Sequence, residues 1–128
     1  MNNQIIYTKS APEPIGPYSQ AKRLGLLIYT SGQIAIDPAT GSLVNGDIKV
    51  QTRQTLENVK AILEAGSSSM SKVIKVNVFL KNIEDFSGMN EVYAEFFSGS
   101  APARSTVEVS RLPRDMKVEI EAVAVIEK

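Results

Sequence analysis

The sequence predicts an α+β fold, with two helices packed on one face of a mixed six-stranded sheet. Three observations carry this. Leu56, Val59, Ile62 and Leu63 recur at spacings of three and four, which is a helical period. Val73 to Leu80 is dominated by β-branched and aromatic residues, the composition of a well-buried strand. The predicted elements follow in the order strand, hairpin, helix, strand, helix, hairpin. At 128 residues the chain is expected to form one domain, 1–128, able to bury a core without covalent staples.

Ile5 to Thr8 is a short β-prone start. Ala11 to Pro17 carries three prolines and Gly16, which forbid regular structure and predict a fixed loop. Tyr18 to Arg23 and Leu26 to Ile36 flank Leu24-Gly25 as a hairpin. Asp37-Pro38-Ala39-Thr40-Gly41 is turn chemistry. The first helix is expected over Asp47 to Ala65, with Asp47 near its N-terminus and Gly66 as a left-handed cap. Ser67 to Ser71 reads as a loop and Val73 to Leu80 as a strand. A second helix is expected from about Ile83 to Phe97, started by Asn82 or Asp85 and stopped near Gly99. Arg104 to Arg111 and Met116 to Ile126 then form a hairpin across Leu112-Pro113-Arg114-Asp115. In the last strand Val118, Ile120, Ala122, Ala124 and Ile126 share one face, and Glu119, Glu121, Val123 and Val125 the other. Apolar residues on both faces, with helices to cover only one, predict subunit association.

The chain has no Cys, His or Trp. Its composition rules out thiol nucleophiles, the usual catalytic triad, zinc fingers and His-ligated iron. Acid–base chemistry must come from Asp, Glu, Lys, Tyr or bound water. Fourteen Lys plus Arg balance fourteen Asp plus Glu, so bulk attraction to nucleic acid or anionic lipid is a poor expectation. No run approaches the ~20 apolar residues of a membrane span. Met1 to Ser10 has no basic region followed by an apolar stretch, and a cytoplasmic location is the default expectation. No Walker loop, dinucleotide glycine motif, RNA-binding aromatic signature or EF-hand occurs.

Six places could carry chemistry. Arg104 enters a strand from Ala101-Pro102-Ala103, and a guanidinium matches a carboxylate bidentately; a solvated surface arginine is the plainer alternative. Glu119 and Glu121 share a strand face, where neighbouring carboxyls can yield an acid or base; an exposed or ion-paired face is the alternative, and alternation does not separate the two. Tyr18 follows the rigid Ile15-Gly16-Pro17, either as a hydrogen-bond donor to a ligand or as a packed aromatic. In Thr30-Ser31-Gly32-Gln33, Gly32 permits close backbone approach; either its amide binds an anionic ligand or it simply marks a bulge. Lys75 would suit a Schiff base if desolvated, but a lysine reaching solvent is commoner. Asn90 faces a pocket or solvent.

Taken in order, Ile15-Gly16-Pro17-Tyr18-Ser19-Gln20-Ala21, Thr30-Ser31-Gly32-Gln33-Ile34, Gln54 to Lys60, Val76 to Leu80, Ala101-Pro102-Ala103-Arg104-Ser105 and Arg111-Leu112-Pro113 through Ala122 resemble the RidA/YjgF family of enamine/imine deaminases. The resemblance runs essentially end to end. It implies a chorismate-mutase-like fold in a homotrimer whose sheets form a central barrel, with pockets between subunits. It implies hydrolysis of 2-iminobutanoate and 2-iminopropanoate to 2-keto acids and ammonia, without a cofactor. Such imines leave pyridoxal-phosphate-dependent threonine and serine dehydratases.

Within that resemblance Arg104 matches the carboxylate clamp and Glu119 the glutamate that holds water and passes protons. Tyr18, Ser31, Gly32 and Asn90 match pocket-lining positions. Thr106 stands where many relatives have Cys, a position whose backbone carbonyl helps hold the water. Deamination should therefore survive, and a thiol response should not. Two other readings share the scaffold: a non-catalytic sensor of small acids, and RNA cleavage or translation inhibition, which zero net charge and the lack of His disfavour. The expected C-terminal hairpin, turning at Pro113-Arg114, sets Arg104 opposite Val123 and Glu119 opposite Glu108, so that Arg104 and Glu119 lie about 13 Å apart along the ladder, and long side chains reaching toward each other, a bulge, or donation from two different chains would be needed to unite them.

Overall fold

The computed structural model describes residues 3–126. In chain order the elements are β1 (Asn3–Ile6), β2 (Ala21–Leu24), β3 (Leu27–Thr30), α1 (Ile48–Ala65), β4 (Val73–Leu80), α2 (Phe86–Phe96), β5 (Ala103–Glu108) and β6 (Val118–Val125). The strands form one six-stranded sheet in the order β1-β2-β3-β6-β4-β5. Only β4 and β5 pair parallel; the other four neighbouring pairs are antiparallel. This is the expected mixed sheet with two helices. Among the described residues, no helix is long and apolar enough to cross a membrane.

The expected C-terminal hairpin does not form. β5 runs parallel to β4, with Arg104 beside Val76 and Glu108 beside Leu80. β6 inserts between β3 and β4, with Glu119 beside Phe79. Burial decides the placement. β6 alternates fully buried residues with half-buried ones, which suits a central slot. β5 has no buried residue and takes the edge. The connection from Val109 to Lys117 contains a 3₁₀ turn at Pro113–Asp115 in which Arg114 and Asp115 both have φ of +58°. A parallel β4–β5 pair needs a crossover, and α2 supplies it.

α1 begins where expected. The Asp47 side chain accepts a hydrogen bond from Val50 N at 3.0 Å, a cap typically worth about 1 kcal/mol. Leu56, Val59, Ile62 and Leu63 are fully buried with Ile28, Val76, Val78, Val118 and Ile120. The helix end differs from expectation. Gly66 has φ of −93°, and Ser67 takes the left-handed position at +67°. Gly66 is required by packing instead: a Cβ there would lie 2.6 Å from both Ile6 Cδ1 and Ile28 Cδ1. Asn82 caps a 3₁₀ turn at Ile83–Asp85 by accepting from Glu84 N, and α2 proper starts at Phe86. It ends at Phe96, before Gly99 is reached. The β2–β3 loop is Gly25-Leu26, one residue later than expected, with Gly25 at φ +60° as a type II′ turn requires.

Helices cover one face of the sheet. The other face is open and carries Ile5, Leu24, Tyr29 and Val107, each more than 40% exposed.

Two buried amides hang the site's loops on this frame. Gln20, 2% exposed, accepts from Thr8 N at 2.8 Å and donates from Nε2 toward the carbonyls of Thr8, Ala11 and Pro12. On α1, Asn58 Nδ2 donates to the Ile34 and Ile36 carbonyls at 3.1 and 3.0 Å. Gln20→Ala would strand buried backbone groups, so it is expected to lower stability by about 1–3 kcal/mol. Urea denaturation measures this; an unchanged midpoint would show that the loop is held by other means.

Candidate active site

The site starts from a bulge between β3 and β6. Tyr29 pairs with Val123, but the next backbone pair is Gln33 with Ile120. Three residues on one strand thus face two on the other, the count of a β-bulge. Thr30 Oγ1 fills the gap by accepting from Ala122 N at 3.0 Å. Ser31 turns away, its N donating to Gln20 O at 2.8 Å and its Oγ to Ser19 O at 2.6 Å. Of the two readings offered by Thr30-Ser31-Gly32-Gln33, the structure shows the bulge. Gly32 allows close approach: a Cβ there would lie 2.5 Å from Glu119 Oε2 and 2.8 Å from its Cδ.

A cleft of about 480 Å³ opens beside this contact. The loop held by Gln20 supplies Pro12, Ile15 and Tyr18 as one wall. The segment held by Asn58 supplies Ile34 and Ile36 opposite, with Pro113. Ser31, Gly32, Glu119 and Glu121 lie at its polar end. Tyr18 is about half exposed, and its phenol oxygen accepts from Ile15 N at 3.3 Å. Tyr18, Ser31, Gly32 and Glu119 are therefore brought together as expected. Apolar walls with a few convergent polar groups describe a small-molecule site.

The structure separates the two glutamates that alternation left equivalent. Glu121 pairs across the ladder with Asn77, whose Nδ2 donates to its carboxylate at 3.0 Å. Glu119 has Phe79 across the ladder. Burial, and then the Glu121 charge, push the Glu119 carboxyl above the ordinary glutamate range. It is the proton-exchanging candidate of the pair.

Arg104, Asn90 and Thr106 lie elsewhere. Arg104 Nη1 donates to Asn90 Oδ1 at 2.7 Å. Its guanidinium carbon sits 4.6 Å from the Tyr93 ring centroid and 5.4 Å from that of Phe86. Burial raises the Tyr93 phenol above its usual range, with the Arg104 charge opposing. Thr106, on the same face of β5, has a buried hydroxyl without a hydrogen-bond partner among the described residues. Because Arg104 pairs with Val76 and Glu119 with Phe79, three residues along β4, the two side chains leave opposite faces of the sheet. The hairpin geometry, which separated them only along one ladder, is thus corrected: one chain does not unite them.

Phe86 and Tyr93, the aromatic seat of Arg104, were not singled out from sequence. Their signal was present, since Phe86, Asn90 and Tyr93 fall at i, i+4 and i+7 on one helix face. Asn77 had no such signal, because its role depends on the β4–β6 register. Lys75 donates to Ser105 Oγ at 3.2 Å on the open face and lies outside the cleft.

Residues 8–126 match the family model described as Endoribonuclease L-PSP. A RutC family protein of Pyrococcus horikoshii is 61% identical over 94% of this chain and 96% of its own. A 2-iminobutanoate/2-iminopropanoate deaminase of Salmonella typhimurium is 48% identical over 96% and 98% of the two chains. The crystal structure of E. coli TdcF with bound serine superposes with a TM-score of 0.93 at 47% identity, covering 97% of this chain and 99% of that one. Sequence and backbone agree across nearly the whole chain, and the protein belongs to the Endoribonuclease L-PSP family, the RidA/YjgF and RutC group.

Proposed function

We propose that this protein hydrolyses reactive 2-imino and enamine acids, 2-iminobutanoate and 2-iminopropanoate among them, to 2-keto acids and ammonia. The observation that carries this is the Glu119 carboxyl, half-buried at the polar end of an apolar cleft and pushed above the usual range. In this reading the substrate reacts as the protonated imine, and Glu119 takes a proton from water as the water oxygen bonds to the iminium carbon and the C=N electron pair moves onto nitrogen. The nitrogen ends as an amine on a tetrahedral carbon. Glu119 returns the proton to that nitrogen, the C–N bond breaks, ammonia leaves, and the remaining hydroxyl passes its proton to Glu119, and from there to solvent, as the keto group forms. A single acid–base group of this kind typically contributes about 10²–10⁴-fold.

Arg104 is the proposed carboxylate clamp, held in place by Asn90 and two ring faces. The TdcF structure holds serine, a small molecule with one carboxylate, which supports a carboxylate-bearing ligand for this chain. Since Arg104 and Glu119 leave opposite faces of one sheet, the proposed site takes Arg104, Asn90 and Thr106 from one copy and Tyr18, Ser31, Gly32 and Glu119 from the next. A homotrimer with its open sheet faces inward supplies that arrangement. Threonine and serine dehydratases that use pyridoxal phosphate are the proposed sources of substrate.

The test is a panel of 2-imino acids generated in situ, with keto-acid release followed with and without the protein. Accelerated release is expected. Binding of keto or amino acids without acceleration for any imine would instead make the protein a small-acid sensor.

A further inference from the structure

We infer that Glu121, held by Asn77, is a positioning residue that assigns the exchangeable proton to Glu119. The inference rests on the proposal that Glu119 exchanges protons during imine hydrolysis. Both carboxyls stand on the open face of β6, two residues apart, about 6.6 Å along the strand. Two carboxylates at that separation repel, and a site holding both keeps one of them neutral more readily than the other. The surroundings decide which. The Asn77 amide donates to Glu121, a bond that favours its charged form. Glu119 faces Phe79 across the ladder and the Gly32 backbone on its other side. Neither offers it a side-chain donor.

Of the charged groups on the surrounding elements, Glu121 is the one whose charge acts on the Glu119 carboxyl. Glu13, on the loop wall of the cleft, receives a hydrogen bond from the Tyr7 hydroxyl. Asp115, in the turn before β6, pairs with Lys81 at 2.8 Å, with smaller contributions from the Arg111 and Lys117 charges. Lys75 on β4 donates to Ser105. Glu121 is thus the fixed charge that sets Glu119 apart, and Asn77 is what fixes it. Glu119 is thereby a stronger base toward water, and a protonated Glu119 remains accessible for delivery to the departing amine.

Glu121→Gln tests this with little structural disturbance, because the new amide oxygen still accepts from Asn77 while the charge is gone. In the full-length protein, ¹³C-labelled glutamate carboxyls are titrated by NMR, with the Glu119 signal assigned from Glu119→Gln. The Glu119 midpoint is expected to move to lower pH. The acid limb of kcat/KM is expected to move with it, and the plateau to fall because the base is weaker. A Glu119 midpoint unchanged in Glu121→Gln would overturn the inference, and a purely structural role for Glu121 gives that result. If the unmodified protein accelerates no imine, the deaminase proposal falls, while the Glu119 midpoint still decides whether Glu121 assigns the proton.

Discussion

Arg104→Ala is expected to abolish accelerated 2-ketobutyrate release from a threonine dehydratase–threonine mixture while leaving the protein folded. The guanidinium is only partly buried on an edge strand, so its loss costs little stability. What disappears is a charge held by one hydrogen bond to Asn90 and by the faces of Tyr93 and Phe86. Those contacts fix the fork before a ligand arrives, so little side-chain entropy is lost when a carboxylate binds. Without it the imine carbon is no longer held against the water, and a misplacement of about 1 Å can cost about 10²-fold in rate. Arg104→Lys is expected to recover only part of the loss, because an ammonium lacks the planar, bidentate geometry. The assay is read beside circular dichroism. Unchanged acceleration by folded Arg104→Ala protein would remove the clamp.

Glu119→Gln is expected to lower kcat by about 10²–10⁴-fold, with substrate binding largely retained. The unmodified protein's kcat/KM should fall on the acid side at a pH above the ordinary glutamate range, since burial and Glu121 raise this carboxyl. That limb should vanish in the variant, where no proton is exchanged at the position. Normal turnover would remove Glu119 from the chemistry. The two variants together also test the shared site. If each site draws Arg104 from one copy and Glu119 from the next, trimers co-refolded from equal amounts of both variants regain about a quarter of the unmodified sites, since each position is intact in half the chains. No recovery would mean that both groups serve the same site from one chain.

Much of the frame was legible locally. The spacing of Leu56, Val59, Ile62 and Leu63, with Asp47 before them, located α1 to within a residue. Composition located β4, and alternation assigned the faces of β6 correctly. Local reasoning failed where a choice depended on a distant competitor. Arg104 to Arg111 and Met116 to Ile126 are neighbours in sequence with turn residues between them, and they still do not pair. β6 is the more buried strand and takes the central slot between β3 and β4, which leaves β5 to the edge. Gly66 was read for its conformational freedom, when its reason is the closeness of Ile6 and Ile28.

By itself, the sequence determined the chemical inventory and the parity of residues within each strand. With no Cys or His, proton transfer had to rest with carboxyl, phenol, amine or water, and Glu119 and Glu121 had to share a face. The tertiary structure decided parity between strands. The pairing of Val76 with Arg104 and of Phe79 with Glu119 sends these two side chains to opposite sides of the sheet. The same register sets Asn77 against Glu121 and a phenylalanine against Glu119, and so distinguishes two identical side chains. Side-chain direction repeats every two residues within a strand as a local property of the backbone, whereas register is set by which strands win the buried positions.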